Sequence, residues 1–351
     1  MKLKKLIKST AGLSLGLILS SNLLADTVMR VSSWLPPTHP QNAVVLTTWG
    51  QWIEEATQGR VKMVIEYGMG HPKTMFNLVE DHVVDASWSV HGYIPGRFKL
   101  TESVELPDLG ANAEAASVAL WRVNEKYYQE ANEHDGLVLA ALFTHGPGQI
   151  HLAQPIESLA DMKSRKIRLG GGIQTQIGER MGVTPVGAPA PKVYEMMQQG
   201  VVDGVFIPVG EQKTLRLNEV TTQLVLLPGG MYVNSFSIFM NPEFLERLDK
   251  EDRDAIMAVS GEKLSALAGR AWDGGDIEGL AAAKEAGVSI LEVKKGDLID
   301  QEFQAMIVGM DDDYLERVAD RGVDAASALK ELREIARSYV PESEKTSTAQ
   351  N

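Results

Sequence analysis

The chain runs to 351 residues with no cysteine, 47 acidic side chains against 34 basic ones and a formal net charge of −13. That balance argues against nucleic acid as a partner, and the lack of cysteine removes disulfides, thiolate metal sites and a lipid-attachment thiol. With 44% hydrophobic residues the chain can bury a large core and is long enough for two domains.

Lys2, Lys4, Lys5 and Lys8 precede an apolar run from Ala11 to Leu24 that stops at Ala25, the pattern of a cleaved secretory signal peptide over residues 1–25. About 14 residues rising ~1.5 Å each reach roughly 21 Å, short of the ~30 Å hydrocarbon core, so the run is expected to be a leader and not an anchor. The mature product is expected to be a soluble periplasmic protein. Thr27 to Ser33 then reads as a strand, followed by a rigid loop, Trp34-Leu35-Pro36-Pro37-Thr38-His39-Pro40, whose three prolines suit no regular element. Val44, Val45, Thr48, Trp52, Ile53 and Ala56 recur at helical spacing until Gly59, and Val61 to Tyr67 is a second strand. A helix from Thr74 to Glu80 leads to the turn Val83-Val84-Asp85 and a strand through Trp88.

The second half follows the same logic. Leu137 to Phe143 and Lys166 to Leu169 read as strands, Thr175 to Met181 and Val193 to Gln199 as helices, and Gly200-Val201-Val202-Asp203-Gly204 leads into a strand ending at Ile207. The pattern suggests two α/β domains built alike, although a tripeptide as short as Val-Val-Asp also recurs by chance. Tyr232 to Met240 is a further strand, long helices are expected from Glu251 to Ala286 and Asp300 to Arg337, and the polar tail 341–351 has a disordered composition.

Catalytic signatures are missing: there is no Gly-x-Ser-x-Gly elbow, no phosphate-binding Walker loop and no His-Glu-x-x-His helix. Of the seven histidines only His145 and His151 lie close in sequence, and a zinc site would need a third ligand. Gly170-Gly171-Gly172 lacks the residues that make a phosphate cradle and reads as a strand-to-helix turn. Neither a cofactor nor a metal is expected.

From Ser158 to Leu169 the chain carries Asp161-Met162-Lys163-Ser164-Arg165-Lys166-Ile167-Arg168, which resembles the solute receptors of tripartite ATP-independent periplasmic (TRAP) transporters. Met181-Gly182-Val183-Thr184-Pro185-Val186, Val193-Tyr194-Glu195, Gly200 to Gly204, Tyr93 to Phe98 and Glu105-Leu106-Pro107 extend the resemblance over the mature chain. It implies a two-lobed α/β solute-binding fold of type II-like organisation, its lobes joined by crossing strands and a long helix. Lobe I would hold 26–145 plus 234–272 and lobe II 146–233 plus 273–340. It also implies that Arg168 ends a strand and clamps a ligand carboxylate in the interlobe cleft, a role suited to a planar guanidinium. The partners it implies are a small-molecule carboxylate and the membrane subunits of a TRAP permease.

Two positions depart from the family pattern. Gly148 stands where many relatives place a second basic residue, and the apolar Phe206 and Ile207 fall near a frequent asparagine. These changes imply a monocarboxylate with an apolar or aromatic body. Strand-end loops are where α/β proteins hold ligands, so Trp34, His39, Tyr67, Trp88, His91, Phe143 and Phe236 are candidate walls, with Glu66 and Asn234 as hydrogen-bonding groups for a polar tip. A periplasmic lyase and a sensor subunit feeding a kinase are the rival readings.

Overall fold

A computed structural model describes residues 27–341, so the expected signal peptide 1–25, and the tail beyond Pro341, lie outside the described residues. The chain opens with β1 (Thr27–Ser33), α1 (Thr47–Ala56), β2 (Val61–Tyr67), α2 (Met75–Glu80) and β3 (Ala86–Val90), then passes through α3 (Glu102–Glu105) and α4 (Ala113–Val123) to β4 (Val138–Thr144). Next come β5 (Gly148–Leu152), β6 (Lys166–Leu169), α5 (Ile173–Met181), β7 (Thr184–Gly187), α6 (Val193–Gln198), β8 (Gly204–Pro208), α7 (Glu211–Thr214) and β9 (Gln223–Leu226). The last part comprises β10 (Ser235–Met240), α8 (Pro242–Glu246), α9 (Lys250–Ala258), α10 (Glu262–Glu285), β11 (Ser289–Glu292), α11 (Leu298–Ile307), α12 (Met310–Arg317) and α13 (Ala325–Ser338).

These elements build two sheets, ordered β2-β1-β3-β10-β4 and β11-β9-β5-β8-β6-β7. Each contains the same triplet, a first strand flanked by two parallel partners: β1 between β2 and β3, and β6 between β7 and β8. Each triplet then continues through an antiparallel strand, β10 or β5. The two Val-Val-Asp turns do the same job in both lobes. Asp85 Oδ2 accepts the Arg30 N–H at 2.8 Å while its own N–H donates to Arg30 O, and Asp203 Oδ2 accepts the Lys166 N–H at 2.7 Å while its N–H donates to Lys166 O. Each aspartate thus pins the incoming strand to its neighbour, so the repeated tripeptide marks a repeated structure.

Two expected long helices are broken. Gly261 (φ +70°) separates α9 from α10, and Gly309 (φ +82°) and Gly322 (φ +71°) divide the run after Asp300 into α11, α12 and α13. Left-handed backbone suits glycine and ends a helix. The strand expected from Tyr232 starts only at Ser235. Residues 325–338 form α13, which packs on α4 and α3. α10 touches both halves, packing on α4 and β4 along its first part and on α7 further on.

Candidate functional site

A cavity opens between the lobes, at the strand ends of both sheets. Its cationic wall is Arg168, third residue of β6 and only 3% exposed. Its Nε donates to Ala188 O at 2.7 Å and its Nη1 reaches Phe206 O at 3.5 Å, which fixes the plane of the guanidinium. Tyr93 lies beside it, its hydroxyl accepting the Ala190 N–H at 2.8 Å; burial raises that phenol's pKa, against the lowering influence of Arg168.

Gly148, at the start of β5, faces Tyr232. A Cβ at position 148 would lie 2.4 Å from two carbons of that ring, so the space a longer side chain would need is already filled. Tyr232 is held from both ends. Its carbonyl accepts the Gly148 N–H at 2.7 Å, and its hydroxyl accepts a hydrogen bond from Gln174 Nε2, which also donates to Phe206 O at 2.6 Å. Trp34, Phe206, Ile207 and Phe236 make much of the remaining wall apolar. Trp34 is locked by its indole N–H, which donates to Trp88 O at 2.9 Å.

A polar corner lies where α7 meets α10. Glu211, 2% exposed, lines the cavity, and one carboxylate oxygen accepts the Thr214 hydroxyl. His39 Nδ1 accepts the Gln41 N–H at 3.2 Å, so its Nε2 carries the proton and lies 3.5 Å from Glu211 Oε1, too far for a good bond. Burial pushes the Glu211 carboxyl up, but His39 and Thr214 outweigh it and leave its pKa below the usual value. Trp272 Nε1 and Asn234 Nδ2 are buried on this cavity with no hydrogen-bond partner among the described residues. Burial lowers His145 to a pKa of about 4; the neutral ring donates from Nδ1 to Gly146 O and accepts the Asn234 N–H on Nε2.

Of the residues singled out in the sequence, Trp34, Arg168, Phe206, Asn234 and Phe236 are brought together on the cavity. His39 stands behind Glu211. Phe143 and Trp88 are a layer back, their rings 5.0 and 6.0 Å from that of Phe236. His91 is displaced from the wall, bound through its ring nitrogens to Ser235 and Ser237 at 3.0 Å each. Glu66 and Tyr67 end the edge strand β2, where Glu66 pairs with Arg30 at 2.8 Å and Tyr67 is exposed; neither reaches the cavity. Tyr93, Glu211, Tyr232 and Trp272 line it and were not anticipated from the sequence. Among the described residues no group of three His, Asp or Glu side chains could hold a metal.

Residues 31–314 match the family described as bacterial extracellular solute-binding protein, family 7. A curated relative, named outer membrane transporter protein TsaT, from Comamonas testosteroni, is 29% identical over 91% of this chain and 94% of its own length. A TRAP periplasmic solute-binding protein from Bordetella bronchiseptica, solved with bound (R)- and (S)-mandelate, superposes with a TM-score of 0.85 at 33% identity, covering 89% of this chain and 99% of its own. A marine-metagenome TRAP solute-binding protein specific for aromatic acids, solved with 3-hydroxybenzoate, gives 0.83 at 32% identity, over 90% and 99% of the two chains.

Proposed function

The chain belongs to the family 7 extracellular solute-binding proteins, the receptors of TRAP transporters, and on that premise we propose that its interlobe cavity holds a small aromatic monocarboxylate on Arg168 for delivery to a TRAP permease. The carrying observation is a single guanidinium on an apolar wall: Arg168 offers charge-assisted hydrogen bonds to one carboxylate, and the Tyr232 ring over Gly148 excludes a second base from that side. The aromatic acids held by the similar structures support the same reading. A receptor role, as opposed to catalysis, is favoured by a cavity whose lining, among the described residues, includes no Ser, Thr or Cys nucleophile beside a base. The affinity arises on closure, because a ligand touching both lobes stabilises the closed state only by its stronger contacts there.

The test is a thermal-shift and calorimetric screen of the mature protein against small acids, with mass analysis of the recovered ligand. Aromatic monocarboxylates should raise the melting temperature and return unaltered. A converted ligand would make the protein an enzyme, and no response to any aromatic acid would refute the ligand class.

A further inference from the structure

The corner at α7 and α10 is chemically more specific than a hydrophobic pocket requires. Glu211 is a buried, charged acceptor whose one close donor among the described residues is the Thr214 hydroxyl, with His39 Nε2 further off at 3.5 Å. Trp272, 5% exposed, presents a buried N–H with no hydrogen-bond partner among the described residues. Both line the cavity, and three contacts hold them in one corner. The His39 ring lies 5.1 Å from that of Trp272, and its Nε2 lies 3.5 Å from Glu211. Asp276, one turn beyond Trp272 on the same helix, accepts the N–H of Gly210, the residue before Glu211, at 2.7 Å. An unpaired buried donor and an under-bonded buried carboxylate are each costly, so their coexistence calls for a group that serves both.

We infer that the acid bound here carries a hydroxyl group, which donates to the Glu211 carboxylate and accepts from Trp272 Nε1. The inference rests on the proposed aromatic-acid reading and specifies the substituent. A hydroxyl is the smallest group that both donates and accepts. An ammonium would leave the indole N–H unpaired, a second carboxylate or a sulfonate would meet the Glu211 charge with nothing to donate, and an apolar tip would leave both protein groups bare.

The experiment is calorimetric titration of the mature protein with benzoate and its 2-, 3- and 4-hydroxy derivatives, phenylacetate and mandelate, and the methyl ether of each hydroxy acid. At least one hydroxy acid should bind about tenfold or more tighter than both its unsubstituted parent and its methyl ether, since the ether keeps the acceptor and loses the donor. Glu211→Gln should cut both ratios by roughly fivefold or more, whereas Trp272→Phe should cut the ratio to the unsubstituted parent by as much and leave the ratio to the ether in place; each variant is checked by its melting curve, and Trp272→Phe keeps the test alive if Glu211→Gln does not fold. Parents binding within about threefold of every hydroxy acid, or a ratio that survives both substitutions, would overturn the inference and leave the aromatic-acid reading intact. Failure of all these acids to bind would overturn both.

Discussion

The ring of Tyr232 rests on the backbone of Gly148 so closely that even a methyl group there would sit 2.4 Å from it. Gly148 also exchanges two main-chain hydrogen bonds with the 231–232 segment, Gly148 N to Tyr232 O at 2.7 Å and Met231 N to Gly148 O at 3.0 Å, so the ring has little freedom to retreat. Gly148→Ala should therefore destabilise the fold by about 1–3 kcal/mol, the usual effect of overpacking. Tyr232→Ala should restore much of that loss in the double variant. Chemical denaturation of the four proteins measures it, and additive effects would mean the contact is not the cause.

Ligand choice follows from the same contact. Aromatic monocarboxylates should shift the melting temperature more than succinate or sialic acid. Arg97 is engaged with Glu80 at 2.7 Å, and Lys73 lies in an adjoining groove and not on the cavity wall. A submicromolar dissociation constant for a four-carbon dicarboxylate would show that another cation serves the second carboxylate.

Arg168→Ala should weaken binding by roughly 30-fold to several thousand-fold, corresponding to about 2–5 kcal/mol for one partner of a buried charge pair. Arg168→Lys should recover only part, because lysine lacks the planar fork. Arg168 is also buried and satisfies Ala188 O, so Arg168→Ala should lower the melting temperature even without ligand. Calorimetry and melting curves on the three proteins check both effects. Binding within threefold of wild type would remove Arg168 from the role of clamp.

Buried titratable groups pull stability in opposite directions with pH. Burial lowers His145 and His151 to about 4 and His134 to about 3, and His91 well below its ordinary value with help from His134. Their contribution is present above pH ~6.5 and is lost as the unfolded chain takes up protons that the folded one refuses, down to their folded values. Burial raises Glu105 and Asp276 to about 7, so their contribution is present at low pH and is lost as pH rises through 7. Glu105→Gln should thus gain on wild type by about 1.4 kcal/mol per pH unit between pH 5 and 7, and His134→Gln should gain as pH falls from 6.5 towards 4. Denaturation at several pH values reads the slopes; parallel curves for either variant would refute the assignment.

What the sequence conveys here depends on how local the cause is. Arg168 is legible because Lys-Ile-Arg ties it to a strand end, and the twin Asp turns are legible because each acts within its own strand pair. α4 is not, since it is buried almost all round and shows little helical periodicity. Glu66 and Tyr67 lie at a strand end like the true wall residues, but the order β2-β1-β3 puts that end at the sheet edge, and strand order is a tertiary outcome. Trp272 lies within the 24-residue α10 and Glu211 just past β8; only the packing of α10 on α7 makes them neighbours.

That packing has a mechanical consequence. A Cβ at Gly269 would come within 2.4 Å of Ala113 O, and one at Gly279 within 2.2 Å of Val209 O, so one stiff rod lies backbone to backbone against both lobes within three helical turns. A methyl group at position 279 would collide with Val209 O and Gly210 Cα, forcing α10 away from the start of α7 while the contact of Gly269 with Ala113 is untouched. A residue outside the cavity lining can in this way bear on the placement of α7 and, with it, of Glu211.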